Sequence, residues 1–425
     1  MADLPGSSAQ TGVSGHFELT PIRLPVLATF GALIIGLGLG VLLSDAQLAG
    51  AITETAALIG SLWLRALQMT IIPLVASLLV LGLAQMVQAA RAGEAARRFV
   101  GLVIAVAVAG GVFTALALPW ALAVFPIPDT ASGFLADSPQ DAGAVPGILE
   151  FLKSLIAPNI IAAAAETAML PITIFFGLLA AAITRLPDSQ SAILLSFFHA
   201  LANAMLQIIG WVLWVAPVGV AALAFGVGLK SGGGAFAALA HYIVLVSSMG
   251  AFIFALAYVL AWTLGGISFG RFARAVVPAQ AVAISTQSSL ASLPAMLDSA
   301  SRLGLRESTS EFVLPLAVAI FRATSVAMNL AVALYVAALA GLEVPPTLIA
   351  VGIAVALIIS VGSVSLPGSI SFVVSIGPIA LAMGVPIEPL ALLVAVEMIP
   401  DIMRTLGNVT MNVAVTSAVD RSEAS

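Results

Sequence analysis

Long apolar runs separated by short polar breaks set the pattern of this chain. Runs at 24–43, 56–86, 98–125, 160–184, 191–226, 236–264, 311–340 and 386–417 are each of the order of the roughly 20 apolar residues a membrane-crossing helix needs. They predict eight spans. Two further apolar stretches, 269–300 and 346–384, are interrupted near their middles by STQSSLASLP (285–294) and SVGSVSLPGS (360–369). Clusters of Ser, Gly and Pro break helices, so each stretch reads as two half-helices around a turn, against the plainer reading of a kinked helix. Irregular backbone at membrane depth is tolerated only inside protein or beside a wet cavity. Broken segments in corresponding places of two halves are a sequence pointer to a solute site.

Composition strengthens the membrane reading. Of 425 residues, 61% are hydrophobic and only 8% are Asp, Glu, Lys or Arg, against about 25% in ordinary soluble domains. So few charges cannot solvate a soluble surface of this size, and the solvent for most of it is lipid. No cysteine is present, which excludes disulfides, thiolate metal sites and cysteine nucleophiles. The first 22 residues are polar and rich in Ser, Gly and Pro, without the basic and apolar regions of a signal peptide. They are expected to form a disordered cytoplasmic tail, with residues 418–425 as a second cytoplasmic tail, leaving 23–417 as one membrane domain.

Charge placement sets the expected orientation. With the amino terminus inside and both interrupted stretches entering and leaving on one side, Arg23, Arg91, Arg97, Arg98, Arg185, Arg271, Arg274, Arg302, Arg306 and Arg421 fall on the cytoplasmic side. Lys153 and Lys230 fall outside, so both termini are expected in the cytoplasm of an inner-membrane protein. The acidic, proline-containing segment 126–158 reads as an outer loop. Arg322 and Arg404 sit well inside apolar spans, and Arg65 reads as nearer a helix end or a subunit surface.

The last run carries the chemistry. Glu397, Asp401, Thr405, Asn408 and Asn412 recur at three, four or seven residues, which places them on one helix face with Arg404 beside them. A charge at the bilayer centre costs at least about 2.5–3.5 kcal/mol on insertion scales, so ionisable groups there usually mark a solute or ion pathway. The competing reading is a charge network that only locks helices together, since Glu397, Asp401, Arg404 and Arg322 sum to zero. Arg404 offers a planar donor fork suited to a carboxylate. Asp401 could receive an ammonium group, and Thr405 and Asn408 add neutral hydrogen-bonding groups. The hydroxyls and backbone amides of Ser288 and Ser289 could take a second carboxylate at a half-helix amino end. His199 and His241 stand alone in separate spans, where a helix–helix hydrogen bond is the commoner role than a proton relay. No metal-ligand spacing, phosphate loop or Ser–His pairing is present, and nothing points to nucleic acid.

These segments resemble the dicarboxylate/amino acid:cation symporters, the glutamate transporter family, from about residue 24 to residue 417. DIMRTLGNVT (401–410) is the specific motif. The serine-rich turn 285–294, FVLPLAVAI (312–320), the Pro-containing turn 364–369, PLVASLLVLGL (73–83) and APVGVAAL (216–223) support it. The resemblance implies an all-α polytopic fold of eight transmembrane helices and two re-entrant helical hairpins with inverted repeats. It also implies a homotrimer in lipid, whose transport core (mainly 236–417 with the third helix) slides in elevator fashion on a scaffold (mainly 23–125 and 160–226). By position it assigns Ser288 and Ser289 to the first hairpin tip and Leu366, Pro367 and Gly368 to the second, the outer gate. It assigns Asp401 to a substrate amino group, Arg404 to a side-chain carboxylate, and Thr405 and Asn408 to the main carboxylate. Ser325 stands where the family has a threonine near the substrate. The implied activity is secondary transport of an acidic amino acid. C4-dicarboxylates, neutral amino acids, or a solute-binding sensor are the alternatives, and an intramembrane hydrolase is disfavoured.

Three departures bear on coupling. Where the family usually has Asn-Met-Asp-Gly-Thr, this chain has Phe321-Arg322-Ala323-Thr324-Ser325. Asn412 replaces a sodium-binding Asp, and AVAGGV (107–112) replaces Thr-Ser ligands. Sodium is a hard cation that wants oxygen ligands, so no intact sodium site and no other cofactor is expected. Arg322 could supply the positive charge that a bound cation supplies in relatives, paired with Asp401 or Glu397. Coupling would then fall to protons through Glu397 or Asp401, or transport would be uncoupled exchange.

Overall fold

The computed structural model describes residues 25–43, 49–91, 93–128, 156–231, 234–362 and 368–424, all helical or connecting. The first helices are α1 (Val26–Leu42), α2 (Ala49–Gln68), α3 (Ile71–Arg91) and α4 (Glu94–Val124). Then come α5 (Ile160–Ala165), α6 (Met169–Ile183), α7 (Asp188–Trp214), α8 (Ala216–Ser231) and α9 (Gly234–Thr263). The second half holds α10 (Phe269–Thr286), α11 (Leu293–Leu303), α12 (Glu307–Ile320), α13 (Ser325–Leu339), α14 (Pro346–Gly362), α15 (Gly368–Ala382), α16 (Leu390–Leu393) and α17 (Met398–Ala424). Five stretches among the described residues are long and apolar enough to cross a membrane: Ile52–Gln88, Glu94–Val124, Asp188–Trp214, Ala235–Thr263 and Glu307–Leu339. Shorter apolar helices include Leu27–Leu42, Pro171–Ile183, Ala216–Leu229 and Pro346–Ser360. The chain is therefore an all-α polytopic membrane protein.

Both interrupted stretches are helix pairs. The α10 helix ends where Gln287 turns left-handed at φ 50°, and α11 begins six residues later. Arg271, at the start of α10, donates to the Leu303 carbonyl at the end of α11 (2.6 Å), so the two run antiparallel and their outer ends meet. In the second pair a Cβ on Gly352, near the start of α14, would strike the Met383 sulfur just past α15, which sets the same reversal. The turn of this pair, with Leu366 and Pro367, lies outside the described residues, and Gly368 opens α15.

Two packing centres organise the molecule. On one side α1 lies tightly on α8: a Cβ at Gly40 would come within 2.9 Å of Gly228 Cα, the close backbone approach that small residues permit between membrane helices. Trp63 of α2 donates to the Val212 carbonyl of α7 (2.9 Å). On the other side α17 is the central post, packed by α9, α10, α11, α12 and α4. Its residues from Asn408 to Val419 are all buried. The α13 helix is buried all round from Ser325 to Ala337, as a helix apolar on nearly every face is when it does not face lipid. Arg306 pairs with Asp420 (2.9 Å) and Arg98 donates to the Ser422 carbonyl (2.5 Å), which closes the end of α17 with cations where its carbonyls are unpaired.

Candidate functional site

The site forms where two helices are broken side by side. The span predicted over 311–340 is unwound between Ile320 and Ser325, with Phe321 extended. The last predicted span is likewise jointed: α16 ends at Leu393, and tight turns carry the chain to Met398. Glu397 therefore stands at the amino end of α17, with Asp401 in its first turn. Unpaired N–H groups at that end favour carboxylates.

Arg404 occupies the centre. Its Nη2 meets Glu397 Oε1 at 2.6 Å, its Nη1 donates to Asn329 Oδ1 of α13 at 2.8 Å, and its Nε lies 3.4 Å from Asp401 Oδ1. The second oxygen of Glu397 accepts from the Tyr242 hydroxyl of α9 at 3.2 Å. All of these side chains are buried. Arg322, in the unwound segment and half-buried, acts electrostatically on Asp401. Two guanidinium and two carboxylate groups thus lie within electrostatic reach of one another with no formal excess. Removing one member of such a buried pair strands the other, at about 3–5 kcal/mol.

One turn further along, Asn408 Oδ1 accepts from both the backbone N–H (2.9 Å) and the hydroxyl (3.0 Å) of Thr324. This amide braces the unwound peptide that would otherwise leave a buried donor unpaired. The close approach needs Gly407, where a Cβ would fall 2.5 Å from Thr324 Cγ2. Thr405 and Ser325 are buried at the same junction. Asn412, a further turn along, is different: it is fully buried and neither Oδ1 nor Nδ2 has a hydrogen-bond partner.

Ser288 and Ser289 are half-buried in the α10–α11 turn. Ser288 Oγ accepts from Ala291 N–H (3.2 Å) within that turn. The α10 helix is tied to α17 by Gln280, which donates to Thr410 Oγ1 (3.1 Å). Arg65 is exposed on α2, away from the cluster. Among the described residues no group of three or more His, Asp or Glu side chains is placed to hold a metal ion.

A family model described as the sodium:dicarboxylate symporter family matches residues 26–422. The chain belongs to that family. Among its relatives, a proton/sodium-glutamate symport protein of Bacillus subtilis (strain 168) is 26% identical, the match covering 83% of each chain. A proton/glutamate-aspartate symporter of Escherichia coli (strain K12) is 28% identical over 63% of this chain and 60% of its own. The neutral amino acid transporter A of Homo sapiens is 27% identical over 90% of this chain and 79% of its own. Membership places the protein among secondary carriers of small acidic or dicarboxylic solutes in membranes, and not among enzymes.

In this symporter-family chain, sequence spacing brought Glu397, Asp401 and Arg404 together but missed Asn329, Tyr242 and Thr324. Asn329 had left a signal, since it is an amide in the middle of the apolar run SVAMNLAVALYVAAL. Tyr242 had a weaker one. The chain has only three tyrosines, and a buried phenol needs a partner. Thr324 had none, because its role depends on a break in the helix that no Gly or Pro announces.

Proposed function

We propose that the protein is a sodium-independent secondary carrier of acidic amino acids, working as a homotrimer by an elevator motion with both termini in the cytoplasm. Eight spans and two re-entrant hairpins, α10–α11 and α14–α15, would make up each subunit. The observation that carries the reading is the Arg404 fork already filled by protein carboxylates, with Arg322 beside it. A substrate carboxylate would take the place of Glu397 on the fork. Glu397 would keep only the Tyr242 hydroxyl and would take up a proton to stay buried, since an unpaired buried charge is costly. Ser288, Ser289, Ser325, Thr405, Asn408 and the second turn at Leu366, Pro367 and Gly368 would complete the cradle. Arg322 would stand in for a bound cation, and Asn412 for a lost ligand.

One observation favours a second reading. Asp401 is shared between Arg404 and Arg322, which weakens it as a seat for an ammonium group and favours a C4-dicarboxylate with no amino group. Uptake of labelled aspartate into proteoliposomes, with sodium and proton gradients imposed separately, tests both. Proton-driven or exchange uptake, competed by glutamate and unaffected by sodium, is the expected result. Succinate competing far better than glutamate would move the substrate to dicarboxylates. Strict sodium dependence would overturn the role of Arg322.

A further inference from the structure

A second buried polar line leads to Glu397 from the end of the bundle that carries Phe125. His241, on α9, is half-buried there. Its Nε2 lies 2.9 Å from the Phe125 carbonyl at the end of α4, and its Nδ1 lies 3.1 Å from the Tyr335 hydroxyl of α13. The same hydroxyl donates to the Ala238 carbonyl at 3.0 Å. Both ends of this array are carbonyls, which only accept. Its three hydrogen bonds therefore need three protons. A neutral imidazole and a phenol bring one each, while an imidazolium and a phenol bring three together. The array is complete only when His241 carries the additional proton.

From Tyr335 the line continues inward. The Tyr335 ring stands edge-to-face on Tyr242, with centroids 5.3 Å apart, and the Tyr242 hydroxyl donates to Glu397. Both tyrosines are buried. The ionisable groups facing this line can be named helix by helix. From α13 there is Tyr335, and from the amino end of α17 Glu397 with Asp401 and Arg404. The described ionisable residues of α4 and α10, namely Glu94, Arg97, Arg98, Arg271 and Arg274, lie in the first turns of those helices, at the opposite end. No carboxylate other than Glu397 and Asp401 meets the line among the described residues.

We propose that His241 is the proton-loading site of this carrier, and that the Tyr335–Tyr242 pair joins it to Glu397. This rests on the proton-coupled reading above. A proton from solvent binds Nδ1 of His241. Passed to the Tyr335 oxygen, whose own hydrogen swings from the Ala238 carbonyl to a water shared with Tyr242, and on through the Tyr242 hydroxyl, it ends on the Glu397 carboxylate, which becomes a neutral acid as His241 returns to neutral. Each hydroxyl gives up one proton and receives one, so the phenols are unchanged.

The test uses the full chain in proteoliposomes holding a pH-sensitive dye, comparing wild type with H241Q, Y335F and Y242F across about pH 5 to 8, where an unperturbed histidine changes charge. Wild type is expected to move protons with aspartate. H241Q keeps a donor for Phe125 but takes no second proton, and is expected to flatten the pH profile and slow uptake by about a hundredfold, the lower end of what a positioned proton donor contributes. Y335F should do the same, with substrate affinity held within a small factor; Y242F should flatten the profile as well but also change affinity, because its hydroxyl holds Glu397. Proton movement in wild type with an unchanged H241Q profile would overturn the role of His241 alone. No proton movement in wild type would overturn the coupled reading with it. Should H241Q fail to fold, the wild-type chain is sufficient. His16, His199 and His241 are the only histidines, and the imidazole resonances are assigned with H16Q and H199Q. An imidazolium at His241 that loses its proton as pH rises supports the proposal, and a neutral ring throughout that range overturns it.

Discussion

In the first half of α17, around Arg404, each charged side chain has a partner, whereas in the second half Asn412 has none for either polar atom. Glu397, Asp401, Arg404 and Asn412 are all buried, so depth does not explain the contrast. The hydroxyls near Asn412 solve their own problem: Thr416 donates back to the Asn412 carbonyl (2.7 Å) and Ser417 to that of Ala414 (2.6 Å). Short hydroxyls reach the preceding turn in this way. An Asn side chain, with an acceptor and two donor hydrogens, needs a partner on another element. The first half finds such partners on α9, α13 and the unwound segment, while in the second half Gln280 reaches Thr410 and no side chain reaches Asn412. A helix face that looks uniform in sequence is thus a complete charge cluster followed by an incomplete one. The incomplete part falls where the family resemblance expects a carboxylate for sodium.

The strongest way to break this contrast is to empty its complete half. Arg404→Ala removes the one side chain that Glu397, Asp401 and Asn329 share. Stranding buried carboxylates costs about 3–5 kcal/mol, and acidic-substrate affinity should fall by about 100-fold or more at 1.4 kcal/mol per tenfold. Calorimetric titration of aspartate into the purified protein reads this directly. Arg404→Lys should recover only part of it, because an ammonium cannot reproduce the fork that meets Glu397 and Asn329 together. Unchanged affinity in the alanine variant would reduce the cluster to a structural lock between helices and place the substrate elsewhere.

How much of this was legible in the sequence follows from what each feature depends on. The helices and the interruption at 285–294 rest on local composition and could be read directly, while the middle of the interruption at 360–369 lies outside the described residues. Glu397, Asp401 and Arg404 lie seven and three residues apart on one helix, so periodicity alone aligned them. The unwinding of Phe321–Thr324 was not legible. Phe-Arg-Ala-Thr contains no helix breaker, and the break is held open from outside by Asn408 on α17. The spacing rule also treated Asn408 as a free ligand, although its oxygen is engaged by Thr324. His241 read as a solitary histidine because its partners are 94 and 116 residues away.

Between the two halves sits Gly407, and it offers a smaller test of how they are joined. A Cβ there would press on Thr324 Cγ2 and sit 3.5 Å from the Gly250 carbonyl. Gly407→Ala is therefore expected to push α17 away from the unwound segment and cost about 1–3 kcal/mol, the usual range for overpacking. Thermal unfolding in detergent should show a lower Tm. Gly407→Ala combined with Thr324→Ser, which removes the methyl group but keeps the hydroxyl for Asn408, should regain most of the loss. Failure of the double variant to recover would place the strain at another contact.

The smallest expected effect comes from finishing what the second half lacks. Asn412→Leu keeps the branch of the side chain and replaces both unpartnered atoms with apolar ones. Each unsatisfied buried polar atom costs about 1–3 kcal/mol, while the larger methyl groups give some of that gain back through crowding. A net stabilisation of about 1 kcal/mol is expected, read as a raised Tm at constant detergent and salt. The sign of the change is informative. A polar side chain with no partner is improved by an apolar one, but a side chain that holds a water or an ion is not. Destabilisation by Asn412→Leu, greater in sodium than in potassium buffer, would mean that the second half of α17 is occupied in solution. The contrast between the two halves would then be one of partners and not of completeness.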